Sequence, residues 1–429
     1  MNRTVEVFGV SNENIESYIE REEVDQKFLE GLERNKHIIV FGSSKQGKTA
    51  LTNKHLSESD FVRVNCAPQS TPLDIYRSIL RQLEVQFVEK TTTGKRSEVS
   101  GSASFFAKVK IPFWGEGGGK AEVASAVEDH RKVEWRQVDY NLSLPQDISE
   151  ILMKYKLEKR IILENFHYLA EEVQHELAFH LRVFEDYGIL FIILGIWREK
   201  NRLAQFNGDL QDRIIEIPVE PWSRADFKKV ASKGGALLKV DFAVVLDRII
   251  ENSFDSIGVF QELCKECCMA AEVFATAAEV IAIRDHHLKG AIEKKLEDYS
   301  GRHIRSIETF VEQKIKNVEE VPLYIPLHFI KYLLTQTQAA IEAGMKRNQI
   351  HEGIKGIHHR PDDVRASDMS YFLHKLTEAQ VKKRILPPLF DYDRSTKKLK
   401  IIDSTLYFFL RNTDMGELWE SLDKPIDVK

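Results

Sequence analysis

Gly42-Ser43-Ser44-Lys45-Gln46-Gly47-Lys48-Thr49 has the residue types and the spacing of a phosphate cradle. Glycines at its first and sixth places let backbone N–H groups approach an anion closely, because no Cβ stands in the way. Lys48 supplies a charge for β- and γ-phosphates, and the Thr49 hydroxyl suits one position around Mg²⁺. Ala50 continues into a helix-forming stretch whose N-terminus adds the positive end of its dipole. Taken alone, the loop could be a glycine turn between two elements. Its flanks argue otherwise: the apolar, β-branched run Ile38-Ile39-Val40-Phe41 precedes it and a helix-compatible segment follows. Strand, loop and helix in that order predict a nucleoside triphosphate held by Gly42, Ser43, Ser44, Lys45, Gln46, Gly47, Lys48, Thr49 and Ala50.

Hydrolysis asks for a second acid at a strand end, holding Mg²⁺ through water, and for a group that orients the attacking water. The run at 160–164 is apolar and ends in Glu164, so Thr49 and Glu164 are the metal candidates. Asn165 follows it; His167 and Tyr168, just past the strand, read as packing or surface residues. No Asn-Lys-x-Asp follows a strand, so the usual guanine-reading group is missing and ATP is favoured.

These groups must be placed by the surrounding elements. Strand-like runs at 61–66, 160–164, 189–197 and 214–219 alternate with helical patterns at 71–83 and 173–184. The run ILFIILGIW at 189–197 is apolar throughout, as expected for a strand covered on both faces. The alternation predicts an α/β fold, a three-layer α/β/α nucleotide-binding core. Residues 89–137, rich in Thr, Ser, Gly and Lys, interrupt the rhythm and read as an inserted β-hairpin or a disordered segment. From 223 to 317 the pattern turns helical, with candidates at 236–250, 259–274 and 279–296. Helical patterns at 325–334, 347–354 and 367–381, then an alternating pair at 388–403, read as helix–helix–helix–wing. The expected domains are therefore a core at 1–222, a helical lid at 223–317 and a winged-helix-like module at 318–429.

Bulk properties narrow the class. The chain has 429 residues, 43% hydrophobic and 30% charged, with a net charge of −5. No run approaches the roughly 20 apolar residues that span a bilayer, and the first residues lack a signal-peptide core, so a cytoplasmic protein without membrane contact is expected. Four cysteines without a paired framework fit a reducing compartment. Cys264, Cys267 and Cys268 lack a second ligand pair and read as buried helix residues.

Three stretches in order, GSSKQGKT at 42–49, IILENFHYL at 161–169 and NGDLQDRIIEIPVEPWS at 207–223, resemble the AAA+ P-loop ATPases. The likeness is to their origin-recognition and helicase-loader branch and to the related STAND signalling ATPases, over about residues 20–300. It implies ATP·Mg²⁺ between core and lid, Walker A at 42–49, and Walker B around Glu164. It also implies homo-oligomers in which Arg213 reaches a neighbour's γ-phosphate as an arginine finger. Lys48, Glu164, Asn165 and Arg213 are then the catalytic set. The chain departs from the family in three places. Asn165 stands where a glutamate is usual, Leu194-Gly195-Ile196 is apolar where a polar residue is expected, and Gln261 replaces a lid arginine. An asparagine cannot accept a proton, and losing a general base typically costs roughly 10²–10⁴-fold. Slow hydrolysis, or a nucleotide used as a switch, is the expectation.

Between Lys346 and Lys400, 13 Lys/Arg stand against 7 Asp/Glu, a net +6, which leaves −11 for the remainder of the chain. Such a basic region is the footprint of phosphate-backbone contact. Lys382, Lys383, Arg384, Arg394, Lys397 and Lys398 are the candidate nucleic-acid contacts. The alternative is a STAND-like signalling or defence scaffold whose C-terminal module docks a protein partner.

Overall fold

A computed structural model describes residues 1–10, 15–89, 105–113, 134–197, 200–312, 322–394 and 396–422. Five parallel strands form the central sheet: β1 (His37–Phe41), β2 (Phe61–Asn65), β6 (Arg160–Glu164), β7 (Phe191–Gly195) and β8 (Ile214–Pro218), in the order β2-β6-β7-β1-β8. Burial follows position in the sheet. Every residue of the inner strands β1 and β7 is buried, whereas the edge strands β2 and β8 alternate with partly exposed residues. Only a strand covered on both faces can be apolar throughout. Ile39 and Phe41 pack into one layer with Ile161, Leu163 and Ile193; Ile38 and Val40 point the other way, toward Phe28, Leu51 and Leu194. Each such side chain contributes roughly 1.5–3 kcal/mol on burial. The result is the three-layer α/β/α core expected from the sequence.

The helix Lys48–His55 starts directly at the loop after β1, with Gly47 as N-cap in the left-handed region at φ 84°. Proline and a Thr71–Asp74 capping box open the helix Pro72–Gln82. The strands bordering the insertion, β3 (Phe87–Glu89), β4 (Phe106–Phe113) and β5 (Glu134–Asn141), pair antiparallel. The remainder of the insertion lies outside the described residues.

The region after β8 is helical, but its boundaries differ from the sequence reading. A helix at Arg224–Leu238, opened by a Ser223–Asp226 capping box, precedes the expected 236–250 segment. The chain there breaks at Lys239 (φ 57°), and Val240–Asp241 pairs with Ile281–Ala282 as a minimal parallel ladder. Cys264, Cys267 and Cys268 are buried in the helix Ile257–Ala270, unpaired. The expected helix at 279–296 is the much longer Asp285–Val311. In the C-terminal module, Ile325–Leu334, Arg347–Ile357, Ala366–His374 and Leu376–Lys382 are helices; the third expected helix is split at Lys375. The hairpin Phe390–Asp393/Lys398–Ile401 is joined by Met345–Lys346 in a three-stranded antiparallel sheet. The helix Ser404–Asn412 then returns, Phe408 packing into the lid cluster while Leu406 and Phe409 pack into the C-terminal one. Among the described residues no helix is long and apolar enough to cross a membrane.

Candidate nucleotide site

β1 ends at Phe41, and the loop of residues 42–47 folds over the sheet's C-terminal edge. Both glycines are required by the backbone. Gly42 sits at φ 153°, where a Cβ would lie 2.8 Å from Val219, and Gly47 at φ 84° turns the chain into the helix. The Lys48 ammonium curls back inside the loop, donating to the carbonyls of Gly42 (3.0 Å) and Ser43 (2.6 Å). Enclosure pushes its pKa down to about 8, partly opposed by the carboxylate of Glu220. Glu220 in turn accepts from the Ser43 N–H at 2.9 Å and from its hydroxyl at 3.1 Å.

Lys45, Gln46, Gly47, Lys48, Thr49 and Ala50 line a cavity of about 300 Å³. Glu164, Asn165 and His167 close one side, while Val10, Tyr18, Trp222, Ile257 and Gln261 form a largely apolar end. A cavity of this size and mixed lining suits a nucleotide. Thr49 Oγ donates to Glu164 Oε1 at 3.1 Å, so the two groups expected around Mg²⁺ converge from sequence positions 115 apart. They fit such an ion.

One participant was missed in the sequence. Arg63, on β2, donates to the same Glu164 oxygen at 2.6 Å and to Asn53 at 2.8 Å. The alternation Val62-Arg63-Val64 shows that Arg63 faces away from the core, but which acid it meets depends on pairing β2 with β6, a long-range fact. Asn165 adopts the left-handed conformation (φ 57°) and borders the cavity. Gln261, where the resemblance expects an arginine, is buried and exchanges hydrogen bonds with the Ser17 hydroxyl (2.9 and 3.2 Å). Trp197 folds back over Gly195, fully buried, and a Cβ on Gly195 would meet its ring at 1.5 Å. The apolar end of β7 is thus filled by an indole.

The loop is also gripped from outside. The Gly258 N–H, at the start of the lid helix Ile257–Ala270, donates to Lys45 O at 2.9 Å. Lys45 extends over the Tyr299 ring, 5.0 Å away, and burial lowers its pKa to about 8. On the other side, Ser44 N–H donates to Ile402 O at 2.9 Å, and the Ser404 hydroxyl donates to Ser44 O at 2.7 Å. Asp403, between them, is fully buried and ion-paired with Arg302. No sequence signal predicts this clasp, because its halves lie 360 residues apart.

Arg213 lies elsewhere. It precedes β8, where its carbonyl accepts from the His37 N–H, while the phosphate loop follows the opposite end of β1. A five-residue strand spans about 16 Å, so Arg213 cannot serve its own chain's cavity. Its guanidinium pairs with Glu185 and, at 3.5 Å, with Asp186.

The basic candidates of the C-terminal module are largely engaged within the molecule. Lys383 donates to the carbonyls of Thr309, Phe310 and Glu312, capping the end of the helix Asp285–Val311. Lys382 pairs with Glu378, Arg394 with Glu171 of the core at 3.1 Å, and Lys398 donates to Ala343 O at 3.2 Å. Arg384 lines a second cavity, of about 540 Å³, between core and C-terminal module. Lys397 is exposed at the hairpin tip. Of the six candidate nucleic-acid contacts, Lys383 and Arg394 are thus bonded to other elements of this chain. In the same module His328, His358 and His359 lie within 4.8 Å of one another. Both His358 nitrogens are taken, by Leu323 O (2.7 Å) and the Arg360 N–H (2.9 Å), so we assign no metal there.

No family model matches the chain, and no curated protein does. Solved structures of similar course include the Aeropyrum pernix ORC1 protein in complex with DNA, at 13% identity and TM-score 0.45, covering 98% of this chain and 96% of that one. The Walker-type ATPase paby2304 of Pyrococcus abyssi is 15% identical with TM-score 0.45, covering 93% and 97%. The Thermotoga maritima RuvB Holliday junction branch migration motor is 11% identical with TM-score 0.39, covering 92% and 96%. These are distant likenesses of chain course and say nothing of what this chain binds.

Proposed function

We propose that this chain is an AAA+-like, ATP-binding switch that hydrolyses ATP slowly and passes the state of its nucleotide to the C-terminal module. The observation that carries the reading is the double grip on the phosphate loop. Lys45 is bonded to the lid through Gly258, and the adjacent Ser44 is bonded to Ile402 and Ser404 beyond the hairpin. Any movement of the loop around a γ-phosphate strains both contacts at once, and that is how a local charge event biases a distant module. Thr49 and Glu164 would hold Mg²⁺, which when bound shields the phosphate charge. Lys48 would exchange its two loop carbonyls for phosphate oxygens. In an oligomer, Arg213 would leave Glu185 and Asp186 to complete a neighbour's site, its guanidinium being partly exposed in the present pairs. The target would be DNA, contacted through the hairpin tip around Lys397.

A second reading, a STAND-like scaffold whose module binds protein, is favoured by one observation: Lys382, Lys383 and Arg394 are already bonded within the chain. Salt-dependent DNA affinity would separate the two readings.

Calorimetry with ATP and Mg²⁺, paired with amide hydrogen exchange, tests the switch. ATP should bind, and exchange across Ile402–Thr405 should differ between the ATP and ADP states. No uptake of ATP by the folded protein removes the nucleotide reading. Binding without any change in exchange there removes the relay. Arg302→Ala should also loosen this segment, because it strands a buried Asp403; the expected loss is about 3 kcal/mol of stability, read by urea unfolding.

A further inference from the structure

Two of the positions where a polar group would meet the γ-phosphate or the attacking water are spent on other roles. Asn165 cannot accept a proton, and the end of β7 is sealed by the Trp197 ring. His167, two residues beyond Asn165 in the turn Phe166–Tyr168, lines the same cavity as Asn165. It is 3% exposed, and neither ring nitrogen has a hydrogen-bond partner among the described residues. An unpartnered buried polar group costs about 1–3 kcal/mol, a cost that an apolar side chain at this buried position would avoid. The cost is offset only if something else occupies those nitrogens.

The position says what that is. His167 lines the same cavity as Lys48, Thr49, Glu164 and Asn165, and it also lines the larger cavity toward the C-terminal module. It is the wall between the two. Burial and the positive charges of Lys48 and Arg202 hold its pKa well below the usual range, so the ring is neutral, with one N–H and one lone pair.

We infer that His167 is a catalytic residue of the proposed ATPase, its ring N–H donating to a γ-phosphate oxygen on which negative charge builds as the phosphate is released. This rests on the ATP reading. The water oxygen bonds to the γ-phosphorus as the bond to the β–γ bridging oxygen breaks, its electron pair leaving with ADP. One water proton stays on the oxygen now bonded to phosphorus and the other passes to a γ-phosphate oxygen, so both leave with the released phosphate. His167 keeps its own N–H throughout and only holds the phosphate oxygen. The sequence points to the residue only faintly, as a histidine just past an acidic strand end; the orphaned nitrogens and the shared wall identify it.

His167→Leu has similar volume and no polar atom, and His167→Gln restores a donor and an acceptor. The affinities of the full-length chain for ADP and for a non-hydrolysable ATP analogue, each with Mg²⁺, are measured by calorimetry beside ATP turnover. His167→Leu should leave ADP affinity within about twofold, weaken the analogue about tenfold and lower turnover about a hundredfold. His167→Gln should recover most of both. An analogue-to-ADP ratio and a turnover that both stay at the wild-type value in His167→Leu overturn the assignment. If the leucine variant does not fold, judged by thermal unfolding, His167→Phe keeps a ring in the slot and gives the same reading. A wild-type chain that takes up neither nucleotide removes the ATP reading and this inference together, whereas uptake with an unchanged ratio removes this inference alone.

Discussion

The phosphate loop and the basic C-terminal module are both rich in cations, but they spend their charge differently. At the loop, Lys48 and the first-turn amides of the helix Lys48–His55 face one cavity, and Lys48's partners are carbonyls of the loop itself. In the C-terminal module Lys382, Lys383, Arg394 and Lys398 are bound to groups of this chain, leaving Lys397 at the tip and Arg384 in the interdomain cavity. Density of charge predicts little about aim. A contiguous motif fixes its own geometry through glycine dihedrals and a helix start, whereas scattered lysines go wherever tertiary partners take them.

Paired substitutions press on this contrast most strongly. Lys48→Ala should weaken ATP binding about a hundredfold or more, since it removes charge-assisted bonds in an enclosed site. Lys383→Ala should leave ATP affinity unchanged and instead cost about 1 kcal/mol of stability, through the lost cap on Asp285–Val311. Calorimetry and urea unfolding of both variants read the two effects. Equal nucleotide losses in the two variants would erase the distinction.

The same contrast marks what the sequence can and cannot tell. The core was legible because β1 and β7 are apolar at every position but His37 and the helices between them repeat at helical spacing. Helix ends in the lid were not. Lys239 in a left-handed turn stops the helix Arg224–Leu238 where apolar periodicity continues through Leu246 and Ile249. Around the cavity, Thr49 and Glu164 could be named from local pattern, while Arg63 on Glu164 and Ser404 on Ser44 needed the fold. His167, just past a strand end, reads in the sequence as a packing or surface residue, and its burial agrees with packing; only its unpartnered nitrogens argue differently.

Protonation gives a smaller and more diagnostic effect. The Lys48 ammonium titrates near pH 8 in the free chain against about 10.4 for an unperturbed lysine. Between those values the unfolded chain holds a proton that the folded chain has lost, so this group makes the free protein more stable as pH rises through the window. A bound triphosphate would keep the ammonium charged. Binding above pH 8 should then take up a proton, and affinity should fall by at most about tenfold per pH unit. Calorimetry at pH 9 in two buffers of different ionisation enthalpy measures the uptake directly. Lys45 also titrates near 8 but lies over Tyr299, so Lys45→Met should leave the uptake in place. Uptake that vanishes in Lys45→Met would reassign it.

The basic face gives the smallest effect, and its size is the point. With Lys382, Lys383, Arg394 and Lys398 bonded within the chain, few phosphates can be neutralised without breaking those contacts, and each contact contributes roughly one unit to the slope of log affinity against log salt. Lys397→Ala should lower that slope by about one. Lys398→Ala should lower it less, because its ammonium already donates to Ala343 O at 3.2 Å. Lys383→Ala should leave the slope alone. A wild-type slope far steeper than the tip can supply would mean that Arg394 and Lys382 let go of Glu171 and Glu378 when DNA arrives. Those pairs are at least partly exposed, so their release costs little. No salt-dependent affinity for duplex or single-stranded DNA at all would leave Lys397 an ordinary turn residue and the module a surface for protein, and the two regions would then differ in kind as well as in how openly they display charge.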